Sequence, residues 1–216
     1  MQDENIEKLP DTWVAALDGP ETEHKAKGSR FLGQAFAART VGEAKSILLR
    51  VKKLEHGATH HCSAYLLPPI DAPIERFDDD GEPSQTAGAP ILQAIHATEM
   101  LGVIVVVTRY FGGTKLGTGG LIKAYGESAR EALAATPRET IWLESVIELD
   151  ASYEDVGCAE SFLAQKTTEI RNVEREFADR ARFLVTTARS RADMIMNGIR
   201  EASAARIKTR IVGSSK

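Results

Sequence analysis

The sequence predicts a two-domain α+β chain. Residues 103–133 read as a buried strand, a glycine loop and a helix. Residues 138–216 read as strands and helices in the order βαββαβ, the split arrangement of a ferredoxin-like domain. Pro137 stands between these two rhythms, which divides the chain into 1–137 and 138–216.

Residues 1–28 are polar and broken by Pro10, Gly19, Pro20 and Gly28. Short strands are expected near Thr12–Leu17 and Glu21–Lys27. Ser29–Arg39 alternates as a strand does. Thr40-Val-Gly-Glu43 is a capping box, threonine and glutamate each answering the other's backbone N–H. The helix after it sets Ala44, Ile47, Leu48, Val51 and Leu54 on one face, and Gly57 stands where a C′ glycine belongs. His60–Leu67 is a strand, stopped by Pro68-Pro69. His56, His60, His61 and Cys62 are ligand types. A strand sends His60 and His61 to opposite faces, so they cannot share one ion. Cys62 and Ala64 are assigned to the core, His61 and Tyr65 to the other side.

Asp71–Gln85 is a loop with a short strand around Ile74–Phe77. Asp78, Asp79, Asp80 and Glu82 place four carboxylates in five residues. They can hold a divalent cation through oxygen ligands, pair with a cation, or form a solvated acidic turn. The alternating spacing of an EF-hand is absent. Thr86 is placed to cap the next helix and Pro90 to sit in its first turn. Ile91, Ala94, Ile95 and Leu101 give it a buried side.

Val103–Phe111 is a β-branched apolar run, the pattern of a strand covered on both faces, ended by Thr108 and Arg109. Gly112–Gly120 has five glycines in nine residues. A helix is expected from near Leu121, with Leu121, Ile122, Tyr125, Ala129, Ala132 and Leu133 on one face. Free N–H groups at such a helix start can hold an anion. The spacing is neither that of a Walker loop nor that of a dinucleotide fingerprint, whose third glycine falls on Ile122. The glycines equally serve tight turns and close approach of helix and strand. The anion reading names Arg109, Gly112, Gly113, Lys115, Gly117, Thr118, Gly119, Gly120 and Lys123. It puts the free N–H groups on Gly119, Gly120, Leu121 and Ile122.

Beyond Pro137, Ile141–Asp150 reads as a strand and Ser152-Tyr-Glu-Asp155 as a helix start. Glu169–Phe177 and Arg182–Arg189 are two strands joined across Ala178-Asp179. Ser190 is placed to cap the last helix, and Ile207–Val212 is the final strand. Arg206, Lys208 and Arg210 alternate onto one face of that strand.

Of all residues 43% are hydrophobic and 27% charged, an ordinary globular composition. No apolar run approaches the roughly 20 residues of a membrane span. The acidic start has no signal-peptide core. Cys62 and Cys158 suggest no disulfide framework, so a cytoplasmic location is expected. Residues 1–150 carry 15 Lys+Arg against 22 Asp+Glu, and residues 151–216 carry 12 against 9. That asymmetry suits the second part to an acidic partner.

Several motifs coincide with one family pattern. They are Gly88-x-x-Ile91-Leu92-x-x-Ile95, Met100, and Val106-Val107-x-Arg109-Tyr110-Phe111-Gly112-Gly113-x-x-Leu116-Gly117. Asp79-Asp80-Gly81-Glu82-Pro83, Thr86-Ala87-Gly88, Gly117-Thr-Gly-Gly-Leu121, Ala124-Tyr125-Gly126 and Ala58-Thr-His-His-Cys62 belong to the same set. With these the chain resembles the IMPACT family, in its bacterial YigZ-like branch, over roughly residues 29–133. One departure is Gln85, where a small residue is usual. The resemblance implies a ribosomal-protein domain-2-like N-terminal domain with a left-handed βαβ crossover, where general rules give a right-handed one. A ferredoxin-like C-terminal domain of translation-factor type follows it. Eukaryotic IMPACT proteins restrain a starvation-sensing translation kinase by competing for its activator. They carry a different extra domain, so that partner does not transfer.

Two function classes follow. One is a translation-linked regulatory protein that binds RNA, the ribosome or a translation-associated protein, with no cofactor and no membrane. Arg109, Lys115 and Lys123 then meet phosphates. The other is an enzyme acting on a phosphorylated small molecule at the glycine loop, with a divalent metal on the acidic loop. No paired nucleophile and base stand out, which favours binding. A wide basic strip around the loop would favour RNA, and a deep narrow pocket a small substrate.

Overall fold

The computed structural model describes residues 11–69 and 72–214. The acidic start and Asp71 lie outside them. The chain forms two compact units, Trp13–Ile141 and the segment from Trp142 onward together with Asp11 and Thr12.

The first unit runs β1 (Thr12–Ala16), β2 (Thr22–Ala26), β3 (Ser29–Ala37), α1 (Val41–Leu54), β4 (His60–Leu67), β5 (Ile74–Asp78), α2 (Gly88–His96), β6 (Met100–Leu101), β7 (Val103–Tyr110), α3 (Thr118–Ala135) and β8 (Arg138–Trp142). Its main sheet has the order β2-β3-β7-β4-β5, antiparallel throughout. β7 is the middle strand, and seven of its eight residues are buried. Val103, Val105 and Val107 pack with Ile91, Ile95, Tyr125 and Leu133 of α2 and α3. Ile104 and Val106 pack with Phe36, Ala44, Val51, Tyr65 and Leu67, α1 lying on that side. The β-branched run is therefore covered on both faces, each side chain contributing about 1.5–3 kcal/mol of burial. Cys62 and Ala64 face the first cluster and Tyr65 the second, as strand alternation requires.

Local expectations differ from the structure where a distant partner intervenes. Thr40 does cap α1, accepting the Glu43 N–H at 3.1 Å, but Glu43 returns its carboxylate to the Arg39 N–H. α1 stops at Leu54, and Glu55 donates to the Val51 carbonyl without help from Gly57. Thr86 does not cap α2, because its hydroxyl donates to the Pro83 carbonyl. The Asp79 carboxylate takes that place, accepting the N–H groups of Ala87 at 3.0 Å and Gly88 at 2.8 Å. The expected strand Ile141–Asp150 is two strands. Leu143 is buried and turns its N–H to the Asp11 carbonyl, and β8 lies beside β1 in a small sheet of order β6-β1-β8.

The second unit runs β9 (Glu144–Ala151), α4 (Val156–Gln165), β10 (Ile170–Phe177), β11 (Ala181–Ala188), α5 (Ala192–Ala202) and β12 (Lys208–Ser214), with a short 3₁₀ turn ahead of each helix. The sheet order is β10-β11-β9-β12, all antiparallel. Within the unit this is second, third, first, fourth, the ferredoxin-like order. Ile147, Leu149, Phe183 and Val185 pack on Phe162, Leu163, Ile195 and Ile199 of the two helices. Ser190 is no cap, because its N–H and hydroxyl both reach the Asp11 carboxylate.

Charge redistributes once the units are drawn. Residues 13–141 carry 14 Lys+Arg against 15 Asp+Glu, and residues 142–216 carry 12 against 12. The excess of cations expected in the second part vanishes because Glu144, Glu148 and Asp150 lie on its own strand β9. Arg206 precedes β12 instead of lying on it, and donates to Asp155 at 2.8 Å. Arg210 grips Glu148 at 2.9 and 3.0 Å, and Lys208 stands opposite Asp150.

Candidate functional site

β7 carries Arg109 to its C-terminal end, where the acidic loop before α2 and the glycine loop before α3 both arrive. Arg109 is 6% exposed although charged. Its guanidinium donates to Glu82, which is also buried and accepts the Tyr125 hydroxyl at 2.8 Å. His60 Nε2 lies 3.9 Å from the same carboxylate. The ion pair thus ties β7 to the acidic loop, through Glu82 and not through Asp79 or Asp80. The Arg109 Nε is buried and has no hydrogen-bond partner among the described residues. The guanidinium lies 5.5 Å from the centroids of both Phe31 and Phe111.

The other carboxylates of the acidic loop are also engaged from within. Asp78 accepts the Asp80 N–H at 2.9 Å. Asp79 accepts the Gln85 N–H at 2.8 Å in addition to those at the start of α2. Asp80 accepts from Lys52 at 2.7 Å and from the His61 N–H at 2.6 Å. Burial opposes the charge on Asp80, yet these two donors hold its carboxyl below the usual range. Among the described residues no group of three or more His, Cys, Asp or Glu side chains is arranged to hold a metal ion. Gln85 has φ 62°, a left-handed backbone that is uncommon for any residue carrying a Cβ. Burial of Cys62 and Tyr125 pushes both their pKa values well up, so neither is an activated nucleophile or base.

The glycine loop borders a cleft of about 470 Å³. Arg109, Lys115, Gly117, Thr118 and Glu82 of the predicted set line it, together with His60, Pro83, Phe111, Leu116 and Leu121. Gly112, Gly113, Gly119, Gly120, Lys123 and the other three acidic residues lie outside that lining, and the C-terminal Arg206, Lys208 and Arg210 belong to the other unit. α3 begins at Thr118, three residues before the expected start, and the Leu121 N–H is already spent on the Gly117 carbonyl. The free N–H groups are therefore those of Thr118, Gly119 and Gly120, and among the described residues no side chain caps them.

The glycines divide by cause. A Cβ on Gly112 would stand 1.9 Å from the Gly28 carbonyl carbon, so packing of two turns excludes any side chain there. Gly117 has φ 74° and ψ 168°, a region open to glycine alone. Gly119 has neither reason, since a Cβ there would meet nothing within 4 Å. Lys115 is exposed, and among the described residues it has no ion-pair partner. Sequence reasoning missed Phe111 and His60 as wall residues. The available signal was an aromatic directly before the glycine loop.

Comparison with known proteins covers the same region. Residues 27–133 match the family model described as the Impact N-terminal domain. The chain is 38% identical over 154 residues to the IMPACT family member YvyE of Bacillus subtilis, covering 71% of this chain and 70% of that protein. It is 33% identical over 165 residues to the IMPACT family member YigZ of Escherichia coli, covering 75% and 80%. Among solved structures, one described as a hypothetical protein superposes with a TM-score of 0.65 at 26% identity, covering 95% of this chain and 99% of that one. Motif, span and extent of identity agree, and the chain belongs to the IMPACT family.

Proposed function

We propose that this chain is a translation-linked regulatory protein of the cytoplasm that binds RNA, free or on the ribosome, through the cleft at the start of α3. One observation carries the reading. Three long helices begin in the first unit. α1 starts on the Thr40 hydroxyl and α2 on the Asp79 carboxylate, whereas α3 starts on open N–H groups beside a cationic Lys115. Such an end attracts a phosphate, and the family's role in eukaryotic translation supplies a phosphate-rich setting.

The enzyme reading needs the acidic loop as a metal holder. Each of its four carboxylates has a partner inside the unit, so that reading has less support. The second unit is also a weaker candidate for the main contact, because Arg206 and Arg210 are paired with Asp155 and Glu148.

Anisotropy of a labelled, 5′-phosphorylated single-stranded RNA, titrated with the full chain, tests the proposal. Affinity should fall as salt rises from 50 to 200 mM by the counterion slope of a few phosphates. Binding indifferent to salt, or none by a folded chain, would overturn it.

A further inference from the structure

We infer that the first unit carries a second site, for a primary ammonium on an alkyl stem, in the cleft between the end of α1 and the β3–β7 face. Side chains alternate along β7, so Val106 and Thr108 face this cleft while Arg109 faces the glycine loop on the other side of the sheet. The inference therefore does not depend on the phosphate reading. The cleft holds about 330 Å³, within the range of small-ligand sites. Its floor is Leu32, Phe36, Val51 and Val106, all buried. Its rim is acidic. Asp18 and Glu21 come from the connection between β1 and β2, and Glu55 from the end of α1.

These carboxylates lack cations. Asp18 accepts the Ala37 N–H at 2.9 Å and Glu55 the Tyr110 hydroxyl at 2.6 Å, but none of the three has an ion-pair partner among the described residues. Arg50 lines the cleft, yet its guanidinium lies 5.3 Å from the Phe36 centroid and pairs with no carboxylate among the described residues. Arg30 is given to Glu23 at 3.2 Å. Partial burial pushes the Glu21 pKa up and the Glu55 charge adds to the rise, with Arg30 opposing it. Two like charges thus face each other with no cation between them.

A second, independent observation is Thr108. It is 1% exposed and lines the cleft, and among the described residues its hydroxyl has no hydrogen-bond partner. Its neighbours across the sheet cannot supply one. Leu32 is apolar, and the His61 ring is turned to the Glu55 carbonyl at 3.0 Å. A buried hydroxyl left alone is destabilising until a partner arrives. Gln34 gives its Nε2 to the Gly19 carbonyl at 2.9 Å, which leaves its amide oxygen as a further acceptor in the cleft. The unmet groups are acceptors, and an ammonium brings three donors and no acceptor. The apolar floor suits its alkyl stem. A bare metal ion fits less well, because among the described residues no three such side chains are arranged to hold one. A quaternary ammonium needs open aromatic faces, and Arg50 already lies over Phe36.

Methyl-resolved NMR titration of the full chain with n-butylammonium, in an amine-free buffer, tests the site. n-Butanol is the uncharged control. The ammonium should shift the methyl signals of Leu32, Val51 and Val106 and bind roughly tenfold tighter than the alcohol, the scale of one charge-assisted hydrogen bond. Glu21→Gln should weaken the ammonium by a similar factor and raise the melting temperature, because it relieves like charges. Thr108→Val keeps the shape, and it should weaken binding several-fold while also raising the melting temperature. No shift of these methyls in a folded chain, equal affinity for the alcohol, or affinity unchanged by Glu21→Gln would overturn the inference. So would a Thr108→Val variant that melts lower and binds as the parent does. N-acetyl-lysine N-methylamide then separates the sources. Binding at least as tight as that of n-butylammonium supports the inference and assigns the cleft to a lysine of a partner protein. Weaker or absent binding beside a bound n-butylammonium supports it for a free amine.

Discussion

Arg109→Ala should damage the fold before it damages any binding. The substitution strands Glu82, whose side chain is 4% exposed, with the Tyr125 hydroxyl as its remaining donor among the described residues. Breaking a buried pair from one side costs about 3–5 kcal/mol. The remaining tyrosine bond moderates the loss, so about 3 kcal/mol is expected, a large share of a typical domain's total stability. The double variant Arg109→Met with Glu82→Gln removes both charges and nearly keeps the volume. It should lose less than about 1.5 kcal/mol relative to the parent. Urea unfolding of the parent, Arg109→Met, Glu82→Gln and the double variant gives the coupling directly, provided the slope m stays constant. A loss below about 1 kcal/mol for Arg109→Ala, or a double variant as unstable as the sum of the singles, would refute a buried and energetically coupled pair.

Gly119→Ala should raise the melting temperature, by the equivalent of up to about 1 kcal/mol, because its Cβ enters open space; calorimetry checks the sign. Gly112→Ala should do the reverse and lose at least about 1–3 kcal/mol, since its Cβ would overlap the Gly28 backbone. Cys158 is half-buried and should react with a maleimide in the native protein, whereas Cys62 should react only after unfolding; both are free thiols, and mass spectrometry counts the adducts. Asp80 has a lowered pKa when folded, so its contribution is present above the unfolded value of about 3.9 and is lost as pH falls through the folded one. Lys52→Met should therefore flatten the acid limb of a stability–pH curve while leaving the neutral region less affected. Residues 13–141 expressed alone should stay folded by circular dichroism, and an unfolded fragment would count against separable units.

Most of the fold was legible because its elements carry local signals. The run Val103–Val107 reads as a covered strand, and both of its faces are filled. Thr40 announces α1, and the order of elements after Pro137 is ferredoxin-like in sequence and in space. What escaped the reading depends on residues far apart in the chain. Asp79 displaces Thr86 as the partner of α2 only because the acidic loop folds back. The Leu143 break needs Asp11. On the last strand Lys208 and Arg210 stand opposite Asp150 and Glu148 of β9, neighbours that only the formed sheet supplies. For the candidate site, the glycine loop was visible in sequence. The partner of Arg109 was not, because Glu82 is one of four nearby carboxylates and only the fold selects among them.

The central position of β7 also sets an order of events during synthesis. Thr22–Ala26 with Ser29–Ala37, and His60–Leu67 with Ile74–Asp78, are hairpins that close between near neighbours. Neither can join the other directly, because Ala37 waits for Val103 and Leu66 also waits for Val103. Between Ala37 and Val103 the ribosome adds 66 residues, which takes roughly 3–13 s at about 5–20 residues per second. Through that interval the edge of β3 stands unpaired, and the edge of β4 joins it once Leu67 has been made, both open to other chains. The nascent protein therefore passes its most aggregation-prone period at the exit of the tunnel, and one late strand ends it by closing both edges at once.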